Sequence, residues 1–131
     1  MIGSPTPAAS AGILLVEDHS STRDALRMLL LRRNYRVAAA SSAAAARDLA
    51  ATQRFDFVIS DVGLPDGDGY QLMRELRALQ PHLQGIAISG YGMDEDLQRS
   101  SAAGFTTHLV KPVSINALEH ALADLRPPAS S

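Results

Sequence analysis

Five times along this chain a short run of branched apolar residues gives way to a segment with helical spacing, and this alternation constrains the fold more than any other feature. Such a pattern is that of a parallel sheet covered by helices. The spacing predicts strands over residues 12–16, 35–39, 55–60, 85–89 and 105–110. Ser20 or Ser21 is placed to cap the first helix, whose Leu26, Leu29, Leu30 and Arg33 follow a helical stripe. An Ala-rich second helix covers 42–53, and a third over 68–79 should bury Leu72, Met73, Leu76 and Leu79. A polar, weakly amphipathic fourth helix spans 94–103, and a last one over 114–125 sets Ile115, Leu118, Leu122 and Leu125 on one face. The expected class is α/β, a (βα)5 doubly wound five-stranded parallel sheet.

A length of 131 residues suits one domain with a sizeable core, and 46% hydrophobic against 20% charged residues is the balance of a chain that folds. That domain is expected over 12–125, with the small, Pro-containing segments 1–11 and 126–131 read as a linker and a C-terminal tail. Twelve basic against 14 acidic residues, with no basic run, argue against direct contact with nucleic acid. There is no cysteine, which excludes disulfides, thiolate metal sites and thiol catalysis. Apolar runs such as 12–16 fall far short of the roughly 20 residues that span a bilayer, so no membrane contact is expected of this domain, and the cytoplasm is the expected compartment.

In doubly wound sheets, ligands bind beyond the carboxyl ends of the strands. Glu17 and Asp18 follow the first predicted strand, Asp61 the third, Ser89 ends the fourth and Lys111 follows the fifth. Two carboxylates at about 4 Å repel by roughly 4 kcal/mol at an effective dielectric of 20, so the three acids need compensation. A hard cation with oxygen ligands supplies it, and Mg²⁺ characteristically takes one or two carboxylates, waters and a phosphate. With Mg²⁺ and Lys111 offsetting the charge, Asp61 can attack phosphorus and form an aspartyl phosphate, while the Ser89 hydroxyl can donate to a phosphoryl oxygen.

The runs Leu15-Val-Glu-Asp18, Ser60-Asp-Val-Gly-Leu-Pro-Asp-Gly-Asp-Gly69, Ser89-Gly90 and Lys111-Pro112 resemble, in order and spacing, the signature of the receiver domains of two-component signalling, over roughly residues 12 to 125. The resemblance implies a flavodoxin-like fold with Asp61 as phosphoacceptor. It implies that Glu17 and Asp18 hold Mg²⁺ directly or through water, together with Asp61 and the Gly63 backbone carbonyl. Ser89 becomes the switch hydroxyl and Lys111 the phosphate-binding lysine, and the Lys111–Pro112 bond is a candidate cis peptide, which only X-Pro bonds adopt at modest cost. His108 stands where many receivers carry a switch Tyr or Phe. The run Gly104-Phe-Thr-Thr-His-Leu-Val-Lys-Pro112 resembles receivers attached to sensor kinases more than those driving DNA-binding domains. The implied partner is a histidine kinase or histidine phosphotransfer domain, and the implied context a hybrid histidine kinase, membrane-anchored or not, with a stand-alone single-domain regulator as the alternative. The output is a changed partner surface around the fourth helix, fifth strand and fifth helix, not turnover. Gly63 leaves space for water beside Asp61 and Tyr91 stands to screen it, with opposing effects on the lifetime of the phosphoryl group.

Other readings fit less well. Read as a calcium loop, Asp66-Gly-Asp-Gly69 would need its third oxygen ligand at Tyr70 and its glycine at Gln71, so Asp66 and Asp68 are expected to make the turn and cap the third helix. Ala87-Ile-Ser-Gly-Tyr91 lacks the flanking glycines of a hydrolase elbow, and no phosphate-cradling Gly-rich loop follows a strand. Aspartate-dependent phosphatases need a second Asp two residues after the nucleophile, where this chain has Gly63. A pseudo-receiver used only for docking would not need the intact acid cluster. His82 and His120 are expected to face solvent, and His19 to be an ordinary exposed residue of the acidic loop.

Overall fold

The computed structural model describes residues 11–90 and 94–125. Strands β1 (Gly12–Val16), β2 (Arg36–Ala40), β3 (Phe57–Asp61), β4 (Gln84–Ser89) and β5 (Phe105–Val110) alternate with helices α1 (Ser20–Arg32), α2 (Ala43–Thr52), α3 (Gly69–Leu79), α4 (Asp94–Ala103) and α5 (Ile115–Asp124). All strand pairs of the main sheet are parallel, in the order β2-β1-β3-β4-β5. The chain runs outward from β1 to β2 and then returns to the other side of β1, so the winding reverses between β1 and β3. The crevice at that reversal is where such sheets bind ligands. A two-residue antiparallel ribbon, Gly63–Leu64 with Gly67–Asp68, follows β3.

Side chains alternate across each strand, so one apolar run feeds two cores. Leu14, Val16, Val58 and Ala87 pack with Ala43 and Ala46 of α2 and Tyr70, Met73 and Leu76 of α3. Ile13, Leu15, Ile59, Ile86 and Ile88 face the other way, onto Leu30 of α1 and Leu118, Ala121 and Leu122 of α5. Helix α1 ends in a Schellman turn. Asn34, at a left-handed φ of 69°, donates to the Leu31 carbonyl at 3.0 Å, and Tyr35 donates to the Leu30 carbonyl at 3.2 Å. Because Tyr35 belongs to that turn, β2 begins at Arg36 and not at the expected residue 35.

Several local expectations are corrected. Neither Ser20 nor Ser21 caps α1: the N-cap is His19, without a side-chain cap bond. Strand β3 begins at Phe57 instead of residue 55, because the Phe55 N–H is taken by the Gln80 side chain (2.8 Å) and the Asp56 carboxylate by the Gly12 N–H (2.8 Å). Asp68 does cap α3, accepting from the Gln71 N–H at 2.7 Å. Asp66 instead reaches the start of α2, accepting from the N–H groups of Ala43 (2.8 Å) and Ala44 (2.9 Å). The bonds from Ala44 and Ala43 hold its carboxyl below the usual range. Leu79 and Ile115, assigned by periodicity to buried faces, are 56% and 61% exposed, Leu79 being the last residue of α3 and Ile115 the first of α5. His82 and His120 face solvent as expected.

Leu76 is wholly buried whereas Leu79, one turn on, is not. Leu76→Ala should therefore cost about 2–5 kcal/mol of unfolding free energy. Leu79→Ala should stay within about 0.5 kcal/mol, both read from urea denaturation midpoints at constant slope.

Candidate functional site

The parallel sheet brings the carboxyl ends of β1, β3, β4 and β5 to one edge, and the chemically active side chains stand there. Glu17 follows β1, with its side chain 2% exposed, and Asp18 comes next at 34%. Asp61, the last residue of β3, is 5% exposed. Its Oδ2 accepts from the Lys111 Nζ at 2.6 Å and its Oδ1 from the Gly63 N–H at 3.0 Å. The Lys111 ammonium also lies 3.7 Å from Glu17 Oε1. Burial alone would lower the Lys111 pKa. The Asp61 hydrogen bond and the charges of Asp61, Glu17 and Asp18 outweigh it and hold the pKa above the ordinary lysine value. Three carboxylates against one ammonium leave a formal excess of two negative charges in this pocket.

The backbone fixes this arrangement closely. Gly69, which opens α3, donates its N–H to the Val62 carbonyl at 2.7 Å, and a Cβ at Gly69 would lie 2.4 Å from the Asp61 carbonyl oxygen. Only glycine lets helix and strand approach there. At Gly63 the space is open, with nothing within 4 Å of an added Cβ. The Lys111–Pro112 peptide is cis, and the Lys111 N–H donates to the Ser89 carbonyl at 2.7 Å.

Ser89, at the end of β4, is 5% exposed, and its hydroxyl lies 2.7 Å from Nε2 of His108 on β5. Strand pairing aligns Ala87 with His108 and Ser89 with Val110, so Ser89 and His108 are diagonal neighbours on one face of the sheet. Sequence reasoning placed these two residues separately and did not see their contact. It also set His19 aside. That ring is 69% exposed, yet its Nδ1 lies 3.2 Å from Glu17 Oε2 and 3.4 Å from Asp18 Oδ1. One donor atom from each of Glu17, Asp18, His19 and Asp61 falls within 4.8 Å of all the others, a set that could hold a metal ion. The adjacency of His19 to two acids at a strand end was the signal available in the sequence. Tyr91 lies outside the described residues, as do residues 1–10 of the predicted linker 1–11 and the predicted tail 126–131.

The model of the response regulator receiver domain family matches residues 13–123. The chain belongs to that family. As a receiver domain it is 37% identical over 121 residues to the response regulator protein FleR of Pseudomonas aeruginosa, covering 88% of this chain and 26% of FleR. It is 32% identical over 111 residues to the sensor histidine kinase RcsC of Salmonella typhi, covering 85% of this chain and 12% of RcsC. The receiver domain thus spans about a quarter or less of the length of these two relatives. A solved response regulator protein from Burkholderia pseudomallei, with a phosphorylated aspartic acid, calcium ion and citrate, aligns at TM-score 0.80 and 26% identity over 89% of this chain and 67% of that one. The expected doubly wound, flavodoxin-like fold is the one observed.

Gly69→Ala should cost about 1–3 kcal/mol and displace the backbone that carries Asp61. Gly63→Ala should change stability by no more than about 0.5 kcal/mol. Chemical denaturation gives the energies, and amide chemical shifts at residues 60–63 give the displacement. Equal effects at both glycines would contradict the account.

Proposed function

We propose that this receiver domain accepts a phosphoryl group on Asp61 from the phosphohistidine of a histidine kinase or histidine phosphotransfer domain. The observation that carries this reading is the Asp61 carboxylate itself: buried, fixed by the Gly63 N–H on one oxygen and by Lys111 on the other, and facing a pocket with excess negative charge. In the transfer, a bond forms between an Asp61 carboxylate oxygen and phosphorus as the donor's N–P bond breaks and its electron pair returns to the donor imidazole. Lys111 is then placed to move from Asp61 onto a phosphoryl oxygen.

The residues present fit a divalent cation. Glu17 Oε1 is buried and accepts no hydrogen bond among the described residues, the mark of an oxygen with ligating capacity in reserve. Glu17, Asp18, Asp61 and the Gly63 carbonyl would hold Mg²⁺. When bound, the ion neutralises charge on Asp61 and on the incoming phosphoryl oxygens. The Burkholderia structure, which contains both a phosphorylated aspartic acid and a calcium ion, supports this part of the reading.

Readout is proposed to begin at Ser89. Its hydroxyl can leave His108 and donate to a phosphoryl oxygen, and the loss of that contact at His108 would alter the surface of α4, β5 and α5. A groove lined by Thr22, Leu26, Leu29, Val113 and Ile115 opens beside Glu17 and Lys111 and offers an apolar seat to a helical donor. The match to RcsC and the run 104–112 support a hybrid-kinase context. The match to FleR, of which this chain covers 26%, supports a receiver within a longer response regulator, and a stand-alone single-domain regulator is the further alternative. The function is carried by binding and not by turnover of a separate substrate, and it is assigned to the cytoplasm. No described helix is long and apolar enough to cross a membrane.

With Mg²⁺ and a small acyl phosphate, the wild-type chain should gain the mass of one phosphoryl group, and Asp61→Asn should gain none. Lys111→Met should react about 10²-fold more slowly. An unlabelled wild type, or equal labelling of Asp61→Asn, measured by intact mass spectrometry, would overturn the assignment.

A further inference from the structure

We infer that His19 is an additional ligand of the cation site and shifts the preference of this receiver domain from Mg²⁺ toward imidazole-binding divalent ions such as Ni²⁺ and Zn²⁺. The inference rests on the reading of Glu17, Asp18 and Asp61 as a cation site and adds to it a ligand supplied by this chain. Two donors each about 2.1 Å from one ion lie about 3.0 Å apart at a right angle and about 3.4 Å apart at a tetrahedral angle. The His19 Nδ1 separations of 3.2 Å from Glu17 Oε2 and 3.4 Å from Asp18 Oδ1 fall in that range. The four donor atoms, one from each residue, span no more than 4.8 Å. Independently, the buried Glu17 Oε1 accepts no hydrogen bond among the described residues and has the Lys111 ammonium 3.7 Å away, beyond hydrogen-bond distance, so the floor of the same site holds an oxygen with lone pairs for a metal ion.

The loop holds the ring over the acids. The His19 N–H donates to Glu17 Oε2 at 3.1 Å, and the first turn of α1 closes on its carbonyl through the Arg23 N–H at 2.8 Å. The Arg23 guanidinium donates to the carbonyls of Glu17 at 2.9 Å and Asp18 at 3.4 Å, fixing the segment from the helix side. His19 is the N-cap of α1 but its side chain makes no cap bond, so the helix does not claim the imidazole. Carboxylate and carbonyl sites suit Mg²⁺, Ca²⁺ and Mn²⁺, whereas an imidazole ligand favours Zn²⁺, Cu²⁺, Fe²⁺ and Ni²⁺. The competing account of the same contacts is a plain imidazole–carboxylate hydrogen bond, which would leave ion preference unchanged.

Because transition ions bind most sites more tightly than Mg²⁺, the diagnostic quantity is the dependence of the Ni²⁺-to-Mg²⁺ affinity ratio on His19. The untagged full chain, carrying His82→Gln and His120→Gln to remove exposed imidazoles, is titrated calorimetrically with NiCl₂ and with MgCl₂. His19→Ala should weaken Ni²⁺ by about tenfold or more while leaving Mg²⁺ within about twofold. His19→Asn, which retains a favourable N-cap, should match His19→Ala. The inference is overturned by an unchanged Ni²⁺ affinity, by a parallel loss for both ions, or by recovery of Ni²⁺ binding in His19→Asn, each of which reduces His19 to an electrostatic or capping role. If Mg²⁺ binds and the ratio does not move, the inference alone fails. If neither ion binds the parent chain, the cation site of the proposed function fails with it.

Discussion

The repulsion among Glu17, Asp18 and Asp61 is the constraint on which the rest of the structure turns. Two of these carboxylates are almost completely removed from water, and at such sites an unpaired charge is costly. Lys111 answers part of that cost through its 2.6 Å contact with Asp61 and its 3.7 Å approach to Glu17. What it leaves is an excess of negative charge that a divalent cation would cancel. In the proposed role the resting site is therefore incomplete by design of its charges, and it accepts an anionic phosphoryl group only in company with a cation.

Fold and site are coupled through a few backbone contacts. The parallel order places the ends of β1, β3, β4 and β5 side by side, and the winding reversal opens the crevice next to Asp61. Gly69 lets α3 start against the Asp61 carbonyl, and the bond from the Lys111 N–H to the Ser89 carbonyl ties the β5 end to the β4 end. Backbone hydrogen bonds thus join the β4 end to its neighbours, at 2.7 Å from the Lys111 N–H to Ser89 and at 2.8 Å from the Val62 N–H to Ile88. The Ser89–His108 pair adds a side-chain contact between β4 and β5, the contact that the proposed readout would exchange.

Much of this was legible in the sequence because its determinants are periodic or local. The alternation of apolar runs and helical stripes defined the sheet, and residues directly after strands had to meet at one edge. Asp61, Glu17, Asp18 and Lys111 could be grouped on that basis. What escaped depended on contacts between segments distant in sequence. Asp66 caps a helix that begins 23 residues earlier, and the meeting of Ser89 with His108 follows only from the register of β4 with β5. Periodicity also overreached at helix ends, where Leu79 and Ile115 continue an apolar stripe but stand exposed. His19 was passed over because exposure alone does not tell a solvated ring from one leaning over two carboxylates.

The charge argument makes one demand that a single measurement can check. Fluorine NMR of the chain mixed with beryllium and fluoride reports whether a phosphoryl mimic is held at Asp61. The account predicts protein-bound fluoride signals that appear only when Mg²⁺ is added and disappear in Asp61→Asn. Bound signals that form without Mg²⁺ or any divalent cation other than beryllium, or that persist in Asp61→Asn, would contradict it.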